Sequence, residues 1–125
     1  MKIGIIGLGY WGPNMVRNFL ANSNVSSVVC CDLNPKRLES IKQRFPAVEA
    51  VMDYKAILKN PSVVAVAIVT PVSTHFKLAK EALESGKHAL VEKPMTESVN
   101  DAQILIDLAA KKNLTLMVDH TFIYT

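Results

Sequence analysis

Cysteine is scarce in this sequence, and its placement excludes a disulfide between the cysteines present. Only two occur among 125 residues, Cys30 and Cys31. Adjacent residues on a strand point to opposite faces, so their sulfur atoms cannot come within bonding distance of each other. We therefore expect both to be reduced thiols buried in a core, rather than a redox pair.

Long hydrophobic runs are also absent. The apolar run from Val63 to Val69 has seven residues, whereas a helix needs about 20 to cross a bilayer. The first seven residues include one basic side chain but lack the longer apolar region and the small-residue cleavage site of a signal peptide. These absences predict a cytoplasmic protein without a membrane span.

Charge of one sign does not accumulate anywhere along the chain. Lysine and arginine number 14 and aspartate and glutamate 11, which gives a net charge of +3. The basic residues are spread along the predicted helices, so the clustered basic surface of a nucleic-acid-binding protein is missing. Hydrophobic residues make up 50% and charged residues 20% of the sequence. This balance predicts a single folded domain.

Glycine is rare except at the start of the chain. Four of the five glycines lie in the first twelve residues, at Gly4, Gly7, Gly9 and Gly12. Glycines that served only scattered turns would not be concentrated in this way. The cluster indicates a segment where backbone must approach something closely.

Short apolar runs alternate with segments of helical periodicity along the rest of the chain. Ser98 and Asp101 resemble a capping pair at the start of the last helix. Strands are predicted at residues 3–6, 25–31, 48–51, 63–69, 88–91 and 114–118, and the buried face of the last helix at Ala102, Leu105, Ile106 and Ala109. Short connections between such elements predict an α/β fold: a doubly wound parallel sheet of about six strands with helices on both faces.

The glycine cluster matches a phosphate-binding motif, G-x-G-x-x-G, over residues 7–12. A predicted strand leads into it, a predicted helix leaves it, and Asp32 follows 20 residues after Gly12, as the motif requires. Gly7 would allow the tight turn, Gly9 the approach of a pyrophosphate, and Gly12 close packing of the helix. The alternative is that the glycines serve only a strand-to-helix turn. The context favours a dinucleotide-binding domain of Rossmann type over residues 1–125.

Asp32 points to the particular dinucleotide. A carboxylate there can accept hydrogen bonds from the adenosine ribose and would repel a 2′-phosphate, which favours NAD over NADP. Arg37 lies nearby and could soften that exclusion. The alternative for Asp32 is a helix N-cap or a turn carboxylate. Tyr10 and Trp11 are candidates to flank the cofactor, with simple packing the alternative for Trp11.

A second candidate segment, Glu92-Lys93-Pro94, follows the fifth predicted strand directly. Ligands bind at the carboxyl ends of strands in open α/β sheets, so position makes Lys93 a candidate functional residue. The alternative is a solvated loop lysine.

Taken together, the motifs resemble those of one oxidoreductase family. They are the residues 7–12 motif, Thr70-Pro71 with His75, Gly86-Lys87-His88, Glu92-Lys93-Pro94 and Asp119-His120-Thr121-Phe122. In this order they resemble the glucose-fructose oxidoreductase, inositol dehydrogenase and rhizopine-catabolism (Gfo/Idh/MocA) family. The resemblance covers essentially the whole chain.

The resemblance implies roles for individual residues. Lys93 would be catalytic, reaching the substrate hydroxyl beside the nicotinamide, and Pro94 would shape its loop. Thr70, Pro71, His75 and Glu92 would line the cofactor groove. The alternatives are a strand-ending turn for Thr70 and Pro71 and a first-turn helix residue for His75. His120 follows Asp119, where many relatives have a small residue, which favours a structural or linker role for His120.

The family also implies a second, substrate-binding α/β domain with an Asp-x-x-x-His pair. None of the aspartates here has a histidine four residues later, so that domain is expected to be absent from this chain. The full-length protein would be an NAD-dependent oxidoreductase that acts on a secondary alcohol of a sugar, cyclitol or nucleotide sugar, and it is expected to form a homo-oligomer. The alternative is a stand-alone NAD(H)-sensing module without catalysis.

No metal site is predicted, because the three histidines lie far apart and C-x-x-C is missing.

Overall fold

A computed structural model describes residues 1–9 and 12–119, with the side chain of Asp119 excepted. The predictions for Tyr10, Trp11 and His120 therefore lie outside the described residues. No described helix is long and apolar enough to cross a membrane. The strands are β1 Lys2–Ile6, β2 Ser27–Cys31, β3 Glu49–Val51, β4 Val63–Ile68, β5 His88–Glu92 and β6 Leu116–Asp119; the helices are α1 Gly12–Ala21, α2 Pro35–Arg44, α3 Tyr54–Lys59, α4 His75–Glu84 and α5 Val99–Lys112.

The strands form one parallel sheet in the order β3-β2-β1-β4-β5-β6. The central strand β1 pairs with β2 on one side and with β4 on the other, so that Ile5 is flanked by Cys30 and Ala67. From β1 the chain adds β2 and β3 on one side of the sheet and then crosses back to add β4, β5 and β6 on the other side. The strand order therefore reverses between β1 and β4. This order is characteristic of dinucleotide-binding folds and creates a crevice at the switch point. The predicted doubly wound sheet is confirmed.

Helices cover both faces of the sheet and enclose two separate cores. Helices α3, α4 and α5 pack on one face, and α1 and α2 on the other. Cys31 lies in the first core and Cys30 in the second, and both are free thiols as predicted. Burial, together with the neighbouring thiol, raises the pKa of Cys30 to about 12. Burial, with the nearby carboxylates Asp32 and Asp53, raises the pKa of Cys31 to about 11.

The helix ends follow the predicted local signals, but the buried face predicted for α5 is too broad. The Ser98 hydroxyl accepts a hydrogen bond from the amide of Asp101 at 3.0 Å, which confirms the capping pair. In α5, Leu105 is fully buried, whereas Ile106 is 47% exposed. Consecutive helical residues are separated by about 100°, so the turn that points Leu105 into the core carries Ile106 away from it. Leu108 packs against that core instead.

Lys87 is a buried cation at the amino-terminal edge of the sheet, just before β5. Its ammonium donates hydrogen bonds to the carbonyl oxygens of Asn60 and Val63, both at 2.8 Å. Burial lowers its pKa from the usual lysine value. The side chain joins the end of α3 and the start of β4 to β5, on the edge opposite the crevice.

Replacing this cation is expected to destabilise the fold. Lys87→Met keeps an apolar stem of similar length but leaves two carbonyl groups without their ammonium donor. The Asn60 oxygen keeps the amide of Val63 as a donor, but hydrogen bonds to a charged group contribute about 1.5 to 3 kcal/mol, and chemical denaturation should show a loss of about that size. Lys111→Met changes an exposed lysine and serves as the control, with an effect below about 0.5 kcal/mol. Equal effects of the two substitutions would contradict this role of Lys87.

Candidate cofactor site

A cleft of about 1100 Å³ opens at the carboxyl ends of β1, β2 and β4, at the switch point of the sheet. Parallel strands end side by side here, because the amide of Gly7 donates to the carbonyl of Cys31 at 2.8 Å and that of Val69 to Ile6 at 2.9 Å. The lining residues are Ile6, Gly7, Gly9, Cys31, Asp32, Leu33, Asn34, Arg37, Met52, Asp53, Tyr54, Val69, Thr70, Pro71, Ser73, Thr74, Lys77, Leu78 and Glu92.

The turn from β1 into α1 begins at a position that requires glycine. Gly7 has φ of +98°, a conformation that side chains disfavour. A Cβ atom there would lie 2.9 Å from the carbonyl carbon and oxygen of Val69 and from the Thr70 methyl group. The turn therefore packs directly against the chain that leaves β4.

The other two motif glycines differ in their surroundings. A Cβ atom at Gly12 would lie 2.9 Å from the carbonyl oxygen of Gly7 and 3.3 Å from the Leu8 side chain. Gly12 is thus buried where the first turn of α1 meets the loop. Gly9 lines the cleft, and among the described residues no atom other than those of its chain neighbours would lie within 4 Å of a Cβ atom there. The open side of Gly9 leaves space for a group that must come close to the backbone.

Asp32 follows β2 and faces the same cleft. Its Oδ2 accepts a hydrogen bond from the amide of Leu8 at 2.8 Å, and its Oδ1 accepts one from the amide of Asn34 at 2.8 Å. The N-cap of α2 is Asn34, whose side chain accepts from the amide of Lys36. Asp32 is therefore a turn carboxylate, as the alternative held, and a lining residue of the cleft as well. A carboxylate has about four acceptor positions, so capacity remains for a ligand hydroxyl.

Arg37 lies on the first turn of α2, beside Asp32. Its Nη1 is 3.6 Å from Asp32 Oδ2, and its side chain is 54% exposed. The guanidinium therefore carries a partly free set of donors to the edge of the cleft. It adds positive charge next to the carboxylate that the sequence identified.

The segment after β4 makes a tight polar turn. The hydroxyls of Thr70 and Thr74 are 2.6 Å apart, and the Thr74 hydroxyl donates to the carbonyl of Pro71 at 2.6 Å. Thr70 and Pro71 thus form the strand-ending turn that was the alternative for them, and both also line the cleft. The ring of His75 is buried behind this turn and hydrogen-bonds the carbonyls of Thr70 and Pro94.

The structure brings six of the predicted site residues to the cleft wall. They are Gly7, Gly9, Asp32, Thr70, Pro71 and Glu92. Gly12 and His75 are buried next to it, and Lys93 and Pro94 are exposed on the turn that follows β5. The peptide bond between Lys93 and Pro94 is cis. Contacts of these residues with a cofactor stay predictions.

Sequence reasoning missed the apolar side chains at the rim of the cleft. Leu33 is 83% exposed and Met52 is 51% exposed, although both are large and apolar. Each lies just beyond a strand end, after β2 and β3 respectively. The signal available in the sequence was an apolar residue in a turn that should otherwise be polar. Such a pair offers contact area to a flat, weakly polar ring.

Two other lining residues are excluded as proton acceptors near neutral pH. The Tyr54 hydroxyl donates to Glu81 at 2.7 Å, and this hydrogen bond, with burial and nearby carboxylates, raises its pKa to about 12. Cys31 keeps its proton because its pKa is raised to about 11, mainly by burial.

Within residues 1–9 and 12–119, no group of three or more His, Cys, Asp or Glu could hold a metal ion.

The strand order, the glycine turn and the carboxylate after β2 define the chain as a Rossmann-type dinucleotide-binding domain. The sequence model of the Gfo/Idh/MocA oxidoreductases, described as an oxidoreductase family with an NAD-binding Rossmann fold, matches residues 1–120. The chain belongs to this family, and the resemblance stated from its motifs is confirmed.

Two relatives illustrate the similarity to known dehydrogenases. A 1-carboxy-3-chloro-3,4-dihydroxycyclohexa-1,5-diene dehydrogenase from Comamonas testosteroni is 37% identical over 97% of this chain and 30% of its own length. A UDP-N-acetylglucosamine 3-dehydrogenase from Acidithiobacillus ferrooxidans is 34% identical over 96% of this chain and 37% of its own. The chain thus spans about a third of the length of these relatives.

A solved structure supports the same assignment. The 3-ketoreductase from Actinomadura kijaniata, crystallised with NADP and TDP-benzene, superposes with a TM-score of 0.88 at 28% identity. The match covers all of this chain and 38% of that protein. The fold of the chain is therefore that of the cofactor-binding part of an oxidoreductase.

The surroundings of Gly9 and Gly12 predict opposite effects of the same substitution. Gly9→Val should leave stability almost unchanged, because its side chain enters open space, but should abolish dinucleotide binding in titration calorimetry. Gly12→Val should destabilise the fold by about 1 to 3 kcal/mol through overpacking. Circular dichroism during thermal unfolding measures the difference. Two equally stable variants would contradict this separation of the glycine roles.

Proposed function

We propose that this chain is the cofactor-binding domain of an NAD-dependent dehydrogenase acting on a secondary alcohol of a sugar, cyclitol or nucleotide sugar. The observation that carries the proposal is the open space beside Gly9, at the switch point and within the same cleft as Asp32. This space fits a pyrophosphate, and the positive end of the helix dipole at the N-terminus of α1 would stabilise its negative charge. When bound, the nicotinamide donates or accepts the hydride.

The described residues suggest how the two ends of the dinucleotide are held. Asp32 accepts hydrogen bonds from the adenosine ribose hydroxyls, and Leu33 and Met52 give the adenine ring apolar contact. Thr70 and Pro71 face the cleft after β4, on the way to the β5 edge. This orientation directs the nicotinamide toward the turn that carries Lys93.

Asp32 favours NAD over NADP through charge. A 2′-phosphate placed against the Asp32 carboxylate would be repelled, and the carboxylate would lose its ribose hydroxyl partner. Arg37 opposes this effect, because its exposed guanidinium can pair with a phosphate. The ion pair of Arg37 with Asp32 at 3.6 Å leaves the net local charge near zero. We therefore expect a preference for NAD rather than strict exclusion of NADP.

This balance is tested with two variants of neighbouring residues. Asp32→Asn keeps a side-chain oxygen as acceptor but removes the charge, so the ratio of NAD to NADP affinity should fall about tenfold, equivalent to 1.4 kcal/mol. Arg37→Ala should raise that ratio, because it weakens NADP binding and leaves the ribose contact in place. Calorimetric titration gives the affinities, and thermal unfolding checks that both variants are folded. Tighter binding of NADP than NAD by the unaltered chain would refute the preference.

The substrate-facing role falls to Lys93. Its ammonium follows β5 at the edge where ligands bind, and it is exposed and free to reach a bound alcohol. A cation there would polarise the reacting oxygen. We propose that a second domain completes the substrate site, since the chain covers only 30% and 37% of its two named relatives.

Accordingly, the 125-residue chain should bind NAD without oxidising any alcohol at a useful rate. It lacks an Asp-x-x-x-His pair, and general acid–base assistance alone is worth about 10² to 10⁴ in rate. NADH absorbance with a panel of sugars and cyclitols measures turnover. In a version extended by its natural downstream sequence, Lys93→Ala should lower kcat far more than it weakens NAD binding. Steady NADH formation by the short chain would show that the base lies within it.

The alternative of a stand-alone NAD(H) sensor has no support from the comparisons, because both named relatives are dehydrogenases. Location in the cytoplasm and assembly of the full-length protein into a homo-oligomer stay predictions. A small-molecule alcohol is the partner that the family membership favours, and the absence of a nucleic-acid partner stays a prediction.

A further inference from the structure

His75 joins the turn after β4 to the turn after β5. Its Nδ1 is 2.8 Å from the carbonyl oxygen of Pro94, and its Nε2 is 2.7 Å from the carbonyl oxygen of Thr70. The residue is 2% exposed, so water does not compete for these partners. One ring therefore spans from the turn after β4 to the turn after β5.

The chemistry of both partners restricts the state of the ring. A carbonyl oxygen only accepts hydrogen bonds, and a neutral imidazole has one N–H and one nitrogen lone pair. In a neutral ring, one lone pair would face a carbonyl oxygen at hydrogen-bonding distance, which is repulsive. Both contacts are attractive only when both nitrogens carry protons. Among the described residues, no buried side-chain nitrogen or oxygen lacks a hydrogen-bond partner.

We infer that His75 is a positioning residue that carries protons on both ring nitrogens and holds the Thr70 turn and the Pro94 turn in a fixed relation. Thr70 lines the cofactor cleft, and Pro94 directly follows Lys93. The imidazolium thus couples the groove for the cofactor to the lysine proposed to meet the substrate. Its link to catalysis rests on the proposed function, whereas its protonation does not.

The surroundings contain effects of both signs. Burial and the N-terminus of α4, where His75 is the first residue, disfavour a positive charge. By sequence, the charged neighbours are Lys77 two residues later on the same helix, Lys93 directly before Pro94, Glu92 at the end of β5 and Glu97 after Pro94. Hydrogen bonds from a charged donor are about twice as strong as neutral ones. Two such bonds to backbone carbonyls favour the imidazolium against these costs.

His88 is the other described histidine, and the direction of its hydrogen bond is fixed because its partner is a backbone amide. Its Nδ1 accepts a hydrogen bond from the amide of Thr115 at 2.9 Å, so that nitrogen must lack a proton while the bond exists. The two described histidines are therefore expected in different states in the same molecule. His75 should be doubly protonated, and His88 should be neutral with its proton on Nε2.

The test is a nitrogen-15 NMR measurement of the histidine rings in the cofactor-free chain near neutral pH. His88→Gln and His120→Gln variants assign the three ring systems. We expect one-bond N–H couplings at both nitrogens of His75 and at only Nε2 of His88. A single protonated nitrogen on His75 would overturn the inference.

Positioning is measured in the same samples by raising the pH. As His75 loses a proton, one of its two hydrogen bonds is lost, so the amide signals of Thr70 and Met95 should move with the midpoint of its ring. The Thr115 amide should instead follow His88. Independent movement of Thr70 and Met95 would contradict the coupling. A chain with a doubly protonated His75 that fails to bind NAD would support this inference and contradict the proposed function.

Discussion

A side chain cannot fit where the turn after β1 meets the chain leaving β4, and this steric constraint determines where the cleft opens. The turn and the strand end are in backbone contact at Gly7, and the helix that follows is drawn in against the same turn at Gly12. With both sides closed by backbone, the open position among the described residues of the loop is Gly9. The site is thus a consequence of close packing rather than a separate feature placed on the fold.

Asp32 combines a structural role with a position in the wall of the cleft. Its carboxylate accepts hydrogen bonds from Leu8 in the glycine loop and from Asn34 at the start of α2, so it links the loop, β2 and α2. A group with these duties is already oriented before any ligand arrives, which lowers the entropy lost on binding. The structural role of Asp32 therefore does not exclude the ligand-binding role proposed for it.

Much of the fold could be predicted, because hydrophobic periodicity and the residues that cap helices or form turns act locally. The errors occur where apolar residues end an element instead of extending it. Val25 was assigned to β2, but its amide bonds the carbonyl of Asn22 and it belongs to the preceding turn. Leu114 was assigned to β6, but its amide closes the end of α5 on Ala109, after Asn113 in a left-handed conformation. An apolar pattern cannot distinguish these uses.

The site was less predictable than the fold. The glycines and Asp32 could be found because backbone conformation and chain order determine their place. Sequence alone could not tell on which side of the Thr70 turn the His75 ring lies, since that depends on how the turn after β5 packs against it. Leu33 and Met52 were missed for a related reason: they form a shared apolar rim only when two separate strand ends come together.

Cys30 and Cys31 give the molecule a pair of natural reporters of its own motion. They are neighbours along one strand, yet each faces a different helical layer, and with raised pKa values both remain almost fully protonated near neutral pH. Since the thiolate is the reactive form, a reagent labels Cys30 only when the α1–α2 layer opens, whereas Cys31 borders the cleft and can also be reached from there. The labelling rates of the two adjacent sulfur atoms therefore report separately on opening of the α1–α2 layer and on access through the cleft.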